Sequence, residues 1–205
     1  MRVIYCAGAQ GRVVVDILRA GEGGGELQFV DDDTDRYGET VDGVPVVGPL
    51  SAVDVSAAEW IVAHGGQGTR LELAAQVSAA GGSFFTAVHP STTVSATATV
   101  GDGVTINAET YVGPGVTLGD HALVDSCVNI SHDTTVGTGA TITPNAALAG
   151  DVEVGRDAYL GPGATVLRGR SVGPEAVVGA GAVVTDDVPS ETTVIGVPAE
   201  PTSMD

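Results

Sequence analysis

The sequence predicts two fold classes in one chain of 205 residues: a small parallel-sheet α/β domain over residues 1–87, then a parallel-stranded β-solenoid over residues 88–205. Two observations carry this division. Short apolar runs alternate with amphipathic stretches in the first part. In the second, an aliphatic residue returns every six positions from Val88 to Val184 without a break. The composition agrees, with 30 glycines against only 4% aromatic residues, a mix that favours regular tight turns over a bulky core.

Taken in order, residues 3–5 (Val-Ile-Tyr) read as a strand, and residues 12–19 as a helix with Val13, Ile17 and Leu18 on one face. Residues 27–30 form a second strand, stopped by Asp31-Asp32-Asp33. Residues 44–47 and 60–63 are further short strands, 69–79 is a second helix, and 84–88 closes this half. Strands alternating with helices imply a parallel sheet covered by helices.

Beyond Val88 the pattern is a hexapeptide. Glycine often follows the aliphatic residue, as at Gly101, Gly113, Gly119 and Gly137, and Ala, Thr or Val stands two positions before it, with Arg170 the exception. A period of six suits neither a helix nor a flat sheet, but it suits a coil in which each hexapeptide is one short strand and a turn. The aliphatic side chain points inward and the small residue lets the chain turn the corner. Coils bury each other's backbone edges, so the stack is stable only as a whole.

Charge narrows the function. The net charge is −18, from 26 acidic residues against 8 basic ones, all of them Arg. Such a surface repels phosphates, which argues against nucleic acid or an anionic membrane as partner. With 43% hydrophobic and 17% charged residues the chain is nonetheless a folding one, and the acidity points to a salt-loving source. Cys6 and Cys127 make neither a disulfide framework nor a thiolate metal site, and no metal is expected. No apolar run reaches membrane-spanning length and no secretory segment opens the chain, so the expectation is a soluble, cytoplasmic protein.

Cys6-Ala7-Gly8-Ala9-Gln10-Gly11 lies between the first strand and first helix. It reads as the Gly-x-Gly-x-x-Gly phosphate loop of a Rossmann-like domain with Cys6 in place of the first glycine, a structural tight turn being the alternative. Gly8 would let a phosphate approach the helix N-terminus, and Asp31 at the end of the second strand is placed to accept from a ribose or base. A first part this short fits one mononucleotide better than a dinucleotide.

The loop, Phe29-Val30-Asp31-Asp32-Asp33, Gly43-Val44-Pro45-Val46-Val47-Gly48, Val88-His89-Pro90 and the hexapeptides together resemble one family over nearly the whole chain. It is the hexapeptide-repeat sugar acetyltransferases, which include UDP-4-amino-sugar N-acetyltransferases and sialic acid O-acetyltransferases. The resemblance implies a left-handed parallel β-helix with three hexapeptides per coil, acetyl-CoA as co-substrate, a nucleotide sugar as acceptor, and a homotrimer with sites between subunits. By residue, it implies nucleotide-sugar contacts at Gly8, Ala9, Gln10, Asp31, Asp32 and Gly65. The segment Ile130-Ser131-His132-Asp133 matches the family's catalytic His–acid pair, His132 being the general base. Adjacent residues on a strand face opposite ways, so the pair works only if the turn reorients one of them.

One coil beyond His132 lies Gly150, whose N–H is then placed to hold a thioester oxygen. The family's coenzyme positions fall on Thr141, Pro162 and Ala180, and its closing segment on residues 194–199. Arg156, Arg168 and Arg170 are the cations available for coenzyme phosphates, solvated surface charge being the equal alternative. Cys6, Gln10, Asp125 and Thr141 depart from the family pattern, and they favour the alternative of an inactive nucleotide-sugar-binding trimeric scaffold. A γ-type carbonic anhydrase needs three zinc-binding His between subunits, and only His121 and His132 lie in the repeats.

With 26 carboxylates and no Lys, dilute buffer should unscreen repulsion. We expect the melting temperature to rise steadily from dilute to molar salt; a flat profile would contradict the reading of the acidity.

Overall fold

The computed structural model describes residues 1–21 and 25–202. The first part is a four-stranded parallel sheet built from β1 (Arg2–Tyr5), β2 (Leu27–Val30), β5 (Glu59–Val62) and β6 (Ser83–Phe84), in the order β2-β1-β5-β6. Helices cover both faces. Helix α1 (Ala9–Ala20) buries Val14, Ile17 and Leu18 against Ile4, Phe29 and Ile61. On the other face α2 (Thr69–Ala79) packs Leu73, Ala74 and Val77 on Val3, Val30, Trp60 and Val62.

Two expectations shift. Val14 rather than Val13 fills the core face of α1, and Val13 lies half-buried at its edge. The helix also starts three residues earlier than the apolar spacing indicates, because Ala9 and Gln10 of the loop form its first turn. The strand expected over 44–47 is a two-residue strand, β4 (Val44–Pro45), paired antiparallel with β3 (Thr40–Val41). Asp42 and Gly43 between them both have positive φ, 47° and 76°, the twist a two-residue hairpin requires. Val46 then continues as a single parallel bridge to Phe29.

From Ala87–Val88 onward the chain is a left-handed parallel β-helix of about 6 turns. Ala87 pairs with Thr105, Thr105 with Leu123 and Leu123 with Thr141, so each strand lies beside the one eighteen residues later. Three parallel sheets result. The first face carries Ala87–Val88, Thr105–Ile106, Leu123–Val124 and their successors; the second Thr93–Val94, Tyr111–Val112 and Asn129–Ile130; the third Thr99–Val100, Thr117–Leu118 and Thr135–Val136. The interior is the aliphatic residue of each hexapeptide with the small residue two before it, for example Ile142 with Ala140 and Leu148 with Ala146, all essentially inaccessible.

The corners explain the rest of the hexapeptide. From Ile106 to Val184 the residue three before the aliphatic one takes positive φ, as at Gly103, Glu109, Gly115, His121, Cys127 and Asp133. At the glycines that follow an aliphatic residue the next coil comes in close: a Cβ on Gly137 would lie 2.6 Å from the Arg156 backbone nitrogen.

The α/β domain lies on the first face. Outward residues there, Thr105, Leu123 and Thr141, are buried, whereas their counterparts on the other faces, such as Thr117, Asn129 and Thr135, are exposed. The junction runs along the corner that closes the third face, where residues 121, 139 and 157 stack on successive coils. His121 packs edge-on against Phe84, ring centroids 4.5 Å apart, and its Nδ1 is buried with no hydrogen-bond partner. Burial lowers its pKa, with Arg70 and Arg156 acting the same way and Asp120 and Asp102 opposing. Among the described residues no helix is long and apolar enough to cross a membrane.

A His whose folded pKa is depressed contributes stability above its unfolded value of about 6.5, and that stability is lost as pH falls below it, where only the unfolded chain takes the proton readily. We therefore expect His121→Gln to gain stability relative to the wild type between pH 7 and 5, read from urea midpoints. Parallel pH profiles would contradict this.

Candidate active site

The corner between the second and third faces lies opposite the face that the α/β domain covers, and it carries His132. The chain leaves strand Asn129–Ile130 and turns at Asp133, whose φ of 56° is in the left-handed region. That turn brings two adjacent side chains to one side: His132 Nδ1 lies 2.9 Å from Asp133 Oδ2. The corner is pinned to the next coil by Asp151 N–H donating to the His132 carbonyl at 3.0 Å and by the buried Thr134 hydroxyl donating to the Ala149 carbonyl at 3.1 Å.

With Nδ1–H donated to Asp133, Nε2 keeps its lone pair, the form in which an imidazole can accept a proton. Directly beside it on the next coil is Gly150. A Cβ there would lie 2.4 Å from His132 Cε1 and Nε2, so no larger residue fits without displacing the ring. Among the described residues the Gly150 N–H meets no acceptor, and the glycine itself is buried beside the imidazole. One coil after Asp133 stands Asp151, held by Arg168 Nη2 at 2.7 Å and Nε at 2.8 Å. His132, Asp133 and Asp151 offer ligand atoms within 4.8 Å of one another, but both carboxylates are already engaged, by the imidazole and by Arg168.

The loop residues form a second feature. Cys6, Gly8, Ala9, Gln10, Ala63, His64 and Gly65 line a cleft of about 370 Å³. Cys6 has φ 81°, the conformation for which glycine is usual at this loop position. Its thiol is pushed up to about 12 by burial first, then by Asp31 and Asp32. Gly8 and Gly11 differ in kind. A Cβ on Gly8 meets nothing within 4 Å, so its face is open to a ligand; one on Gly11 would strike the Cys6 carbonyl at 2.3 Å and the Phe29 ring at 2.7 Å.

Asp31 does not face the cleft freely. Its carboxylate accepts from Ala7 N–H at 2.7 Å and Asp33 N–H at 3.0 Å and so braces the loop, while Asp32 accepts from the Tyr5 hydroxyl at 3.0 Å. Ala9 also borders a neighbouring cleft with Arg12, Val13, Asp16, Asp42 and Asn107, in which Arg12 pairs with Asp42 at 2.8 Å.

The remaining expected positions are scattered. Pro162 and Ala180 are exposed and stack one coil apart on the corner after the first face, where Gly181 N–H donates to the Pro162 carbonyl. Thr141 lies elsewhere, buried under α2, and its hydroxyl accepts from Arg70 Nη2 at 2.8 Å. Arg168 and Arg170 are paired with carboxylates, Arg170 with Asp187 at 3.9 Å. Asp125 accepts from Asn107 Nδ2 at 3.0 Å, again one coil away. Sequence reasoning missed Asp151, His64 and Arg70, and it read Arg168 as a coenzyme cation rather than as the partner of Asp151. The eighteen-residue step that placed Gly150 beside His132 also places Asp151 beside Asp133 and would have found it.

A solenoid of hexapeptides with an imidazole–carboxylate pair and an unpaired backbone N–H on one corner defines a transferase of the hexapeptide-repeat class. Residues 151–186 match the model of the hexapeptide repeat of succinyl-transferase. A comparison with curated proteins gives no match. Among solved structures, perosamine N-acetyltransferase from Caulobacter crescentus, in complex with CoA and GDP-perosamine, is 34% identical over 98% of this chain and 96% of its own, with a TM-score of 0.92. The acetyltransferase domain of PglB from Neisseria gonorrhoeae, in complex with acetyl coenzyme A, is 32% identical over 98% of both chains, also with a TM-score of 0.92. WeeI from Acinetobacter baumannii shares the fold at 22% identity and a TM-score of 0.65, over 98% of this chain and 99% of its own. The chain belongs to the sugar acetyltransferase family and is an acyltransferase.

The two loop glycines give a paired test. Gly11→Ala should cost about 1–3 kcal/mol through overpacking against backbone. Gly8→Ala, at an ordinary φ of −76°, should cost less than about 1 kcal/mol. Urea unfolding of the two variants measures both, and equal losses would contradict the assignment.

Proposed function

We propose that the protein transfers the acetyl group of acetyl-CoA to the amino group of a nucleotide-linked amino sugar, with His132 as general base. The observation that carries this reading is the corner itself: a carboxylate-oriented imidazole with its Nε2 free, next to an unpaired backbone N–H. The relatives at 34% and 32% identity supply the substrate classes, GDP-perosamine with CoA in one and acetyl coenzyme A in the other.

In this mechanism the sugar amine attacks the thioester carbonyl carbon, and Nε2 of His132 takes the proton the nitrogen loses. Negative charge gathers on the carbonyl oxygen, where the Gly150 N–H donates to it. Asp133 keeps the Nδ1–H tautomer and stabilises the imidazolium, the role a buried Asp plays behind a catalytic His elsewhere. As the C–N bond forms, the C–S bond breaks, and the imidazolium returns its proton to the departing thiolate. The products are the acetamido sugar and free coenzyme A.

We place the nucleotide in the Cys6–Gly11 cleft, its phosphates against the uncapped first turn of α1 around Gly8, Ala9 and Gln10, with Gly65 on the opposite wall. Asp31 shapes that loop from behind. This arrangement supports a homotrimer. The cleft belongs to a domain seated on the first face, whereas His132 occupies the opposite corner, so the two stand apart within one chain. Pro162 and Ala180 occupy a third position, on a different corner from His132. Packing three copies side by side brings one chain's cleft and coenzyme corner to another's His132.

His132→Ala should lower turnover by about 10^2- to 10^4-fold while leaving acetyl-CoA affinity little changed. Gly150→Ala should lower turnover as well, by pushing the ring aside, and Gly8→Ala should weaken nucleotide-sugar binding without loss of fold. The assignment fails if His132→Ala turns over as fast as the wild type. Light scattering that shows a monodisperse monomer would remove the shared site.

A further inference from the structure

The segment from His64 to Leu71 is tied to the solenoid along a single column of corner residues. Arg70, on the first turn of α2, is 3% exposed. Its Nε donates to the His121 carbonyl at 2.8 Å, and its Nη2 to the Gly139 carbonyl at 2.5 Å and the Thr141 hydroxyl at 2.8 Å. Its Nη1 reaches the other way, to the His64 carbonyl at 2.8 Å. Residues 121, 139 and 157 stand on successive coils, and the third also takes part: Asp157 Oδ2 accepts from Gly68 N–H at 2.6 Å, and its carbonyl accepts from Gln67 Nε2 at 2.8 Å. At the middle of the column a Cβ on Gly139 would lie 2.6 Å from Leu71 Cδ1, so the helix sits directly on that glycine.

Two features set Arg70 apart from a packing residue. Burying a cation costs several kcal/mol unless it is fully paired, and this one is met by carbonyls and a hydroxyl, with no carboxylate at ion-pair distance among the described residues. Burial draws the guanidinium down to about 10, which still leaves it charged at neutral pH. An apolar side chain of similar length could fill the same space at less cost. What an apolar residue cannot do is hold the His64 carbonyl, and His64 with Gly65 is one wall of the cleft.

We propose that Arg70 is a positioning residue for the acceptor: it fixes the His64–Gly65 wall of the nucleotide cleft to the solenoid, so that the cleft is held open and in register with the coils that carry the chemistry. The proposal rests on the reading of that cleft as the nucleotide site. It makes the fork geometry of Arg the essential property, since one planar group must meet His64 on one side and two coils on the other. Acetyl-CoA, bound at solenoid corners, is independent of it.

The test compares the wild type with Arg70→Met and Arg70→Lys in the full-length protein. Hydrogen exchange at the Gly66 and Gly68 amides reads the wall directly, and calorimetric titration with GDP, UDP and acetyl-CoA reads the two sites. Arg70→Met should speed exchange at these amides by about tenfold and weaken binding of whichever nucleotide the wild type takes by about tenfold, the usual cost of re-ordering a loosened loop. Acetyl-CoA affinity should stay within about twofold. Arg70→Lys, with a charge but no fork, should fall between the two. Unchanged exchange in Arg70→Met overturns the proposal, and so does an equal loss of nucleotide and acetyl-CoA binding, which marks general destabilisation. A wild type that binds neither GDP nor UDP counts against the nucleotide reading of the cleft, and the exchange result then decides the role of Arg70 by itself.

Discussion

Through strand Val183–Val184 the strands of the solenoid pair with those one coil away, eighteen residues apart, a step that shortens to sixteen where Val177 meets Thr193 in the last coil, and most of the molecule depends on it. Asn129 pairs with Ala147 and Ala147 with Thr165; Thr105 pairs with Leu123 and Leu123 with Thr141. The strands are only two residues long, far too short to persist alone, so their stability is a property of the stack. Because the step is constant, residues that share a position in the coil share a column in space, and chemistry is laid out in columns. His132, Gly150 and Arg168 share one, with Asp133 and Asp151 in the column beside it, and His121, Gly139 and Asp157 share another.

The three corners divide the work. One receives the α/β domain, through Arg70, Leu71 and Gly68. The corner opposite that domain's face carries the imidazole, its carboxylate and the unpaired N–H. The remaining one carries the exposed Pro162 and Ala180, and lower down the Asn107–Asp125 pair beside the α1 cleft. A turn in the left-handed region makes each corner sharp, and Asp133 shows the use of it: the same backbone angle that bends the coil swings its carboxylate back onto His132.

Much of this was legible in the sequence because it is local or periodic. The six-residue period specifies the solenoid, and three periods place Gly150 at His132. The loop at Cys6–Gly11 announces itself between strand and helix. What was not legible depends on which surface faces which. Val13 and Val14 are alternatives on helical spacing alone, and the sheet below selects Val14. Thr141 occupies a position where the family resemblance implies a coenzyme contact, yet it lies beneath α2 and its hydroxyl is taken. Arg70 reads in sequence as one more polar residue of a surface helix. It is buried because that side of α2 meets a corner of the solenoid, and nothing in the local pattern of residues 69–79 records that meeting. Asp31 reads as a ligand contact, and what the sequence does not record is that its carboxylate also accepts from the Ala7 and Asp33 amides and braces the loop.

The constant step also governs how such a chain can change over generations. Removing one residue from a strand between His132 and Gly150 would move every later residue out of its column, parting the imidazole from its glycine and turning the inward side chains of all following coils outward. Replacements are cheap by comparison, provided the inward positions stay aliphatic or small. Length can therefore be gained or lost only as complete coils or as loops that leave and rejoin at a corner. Related chains should differ freely in letters and hardly at all in spacing, with the interval from His132 to Gly150 among the last things to drift.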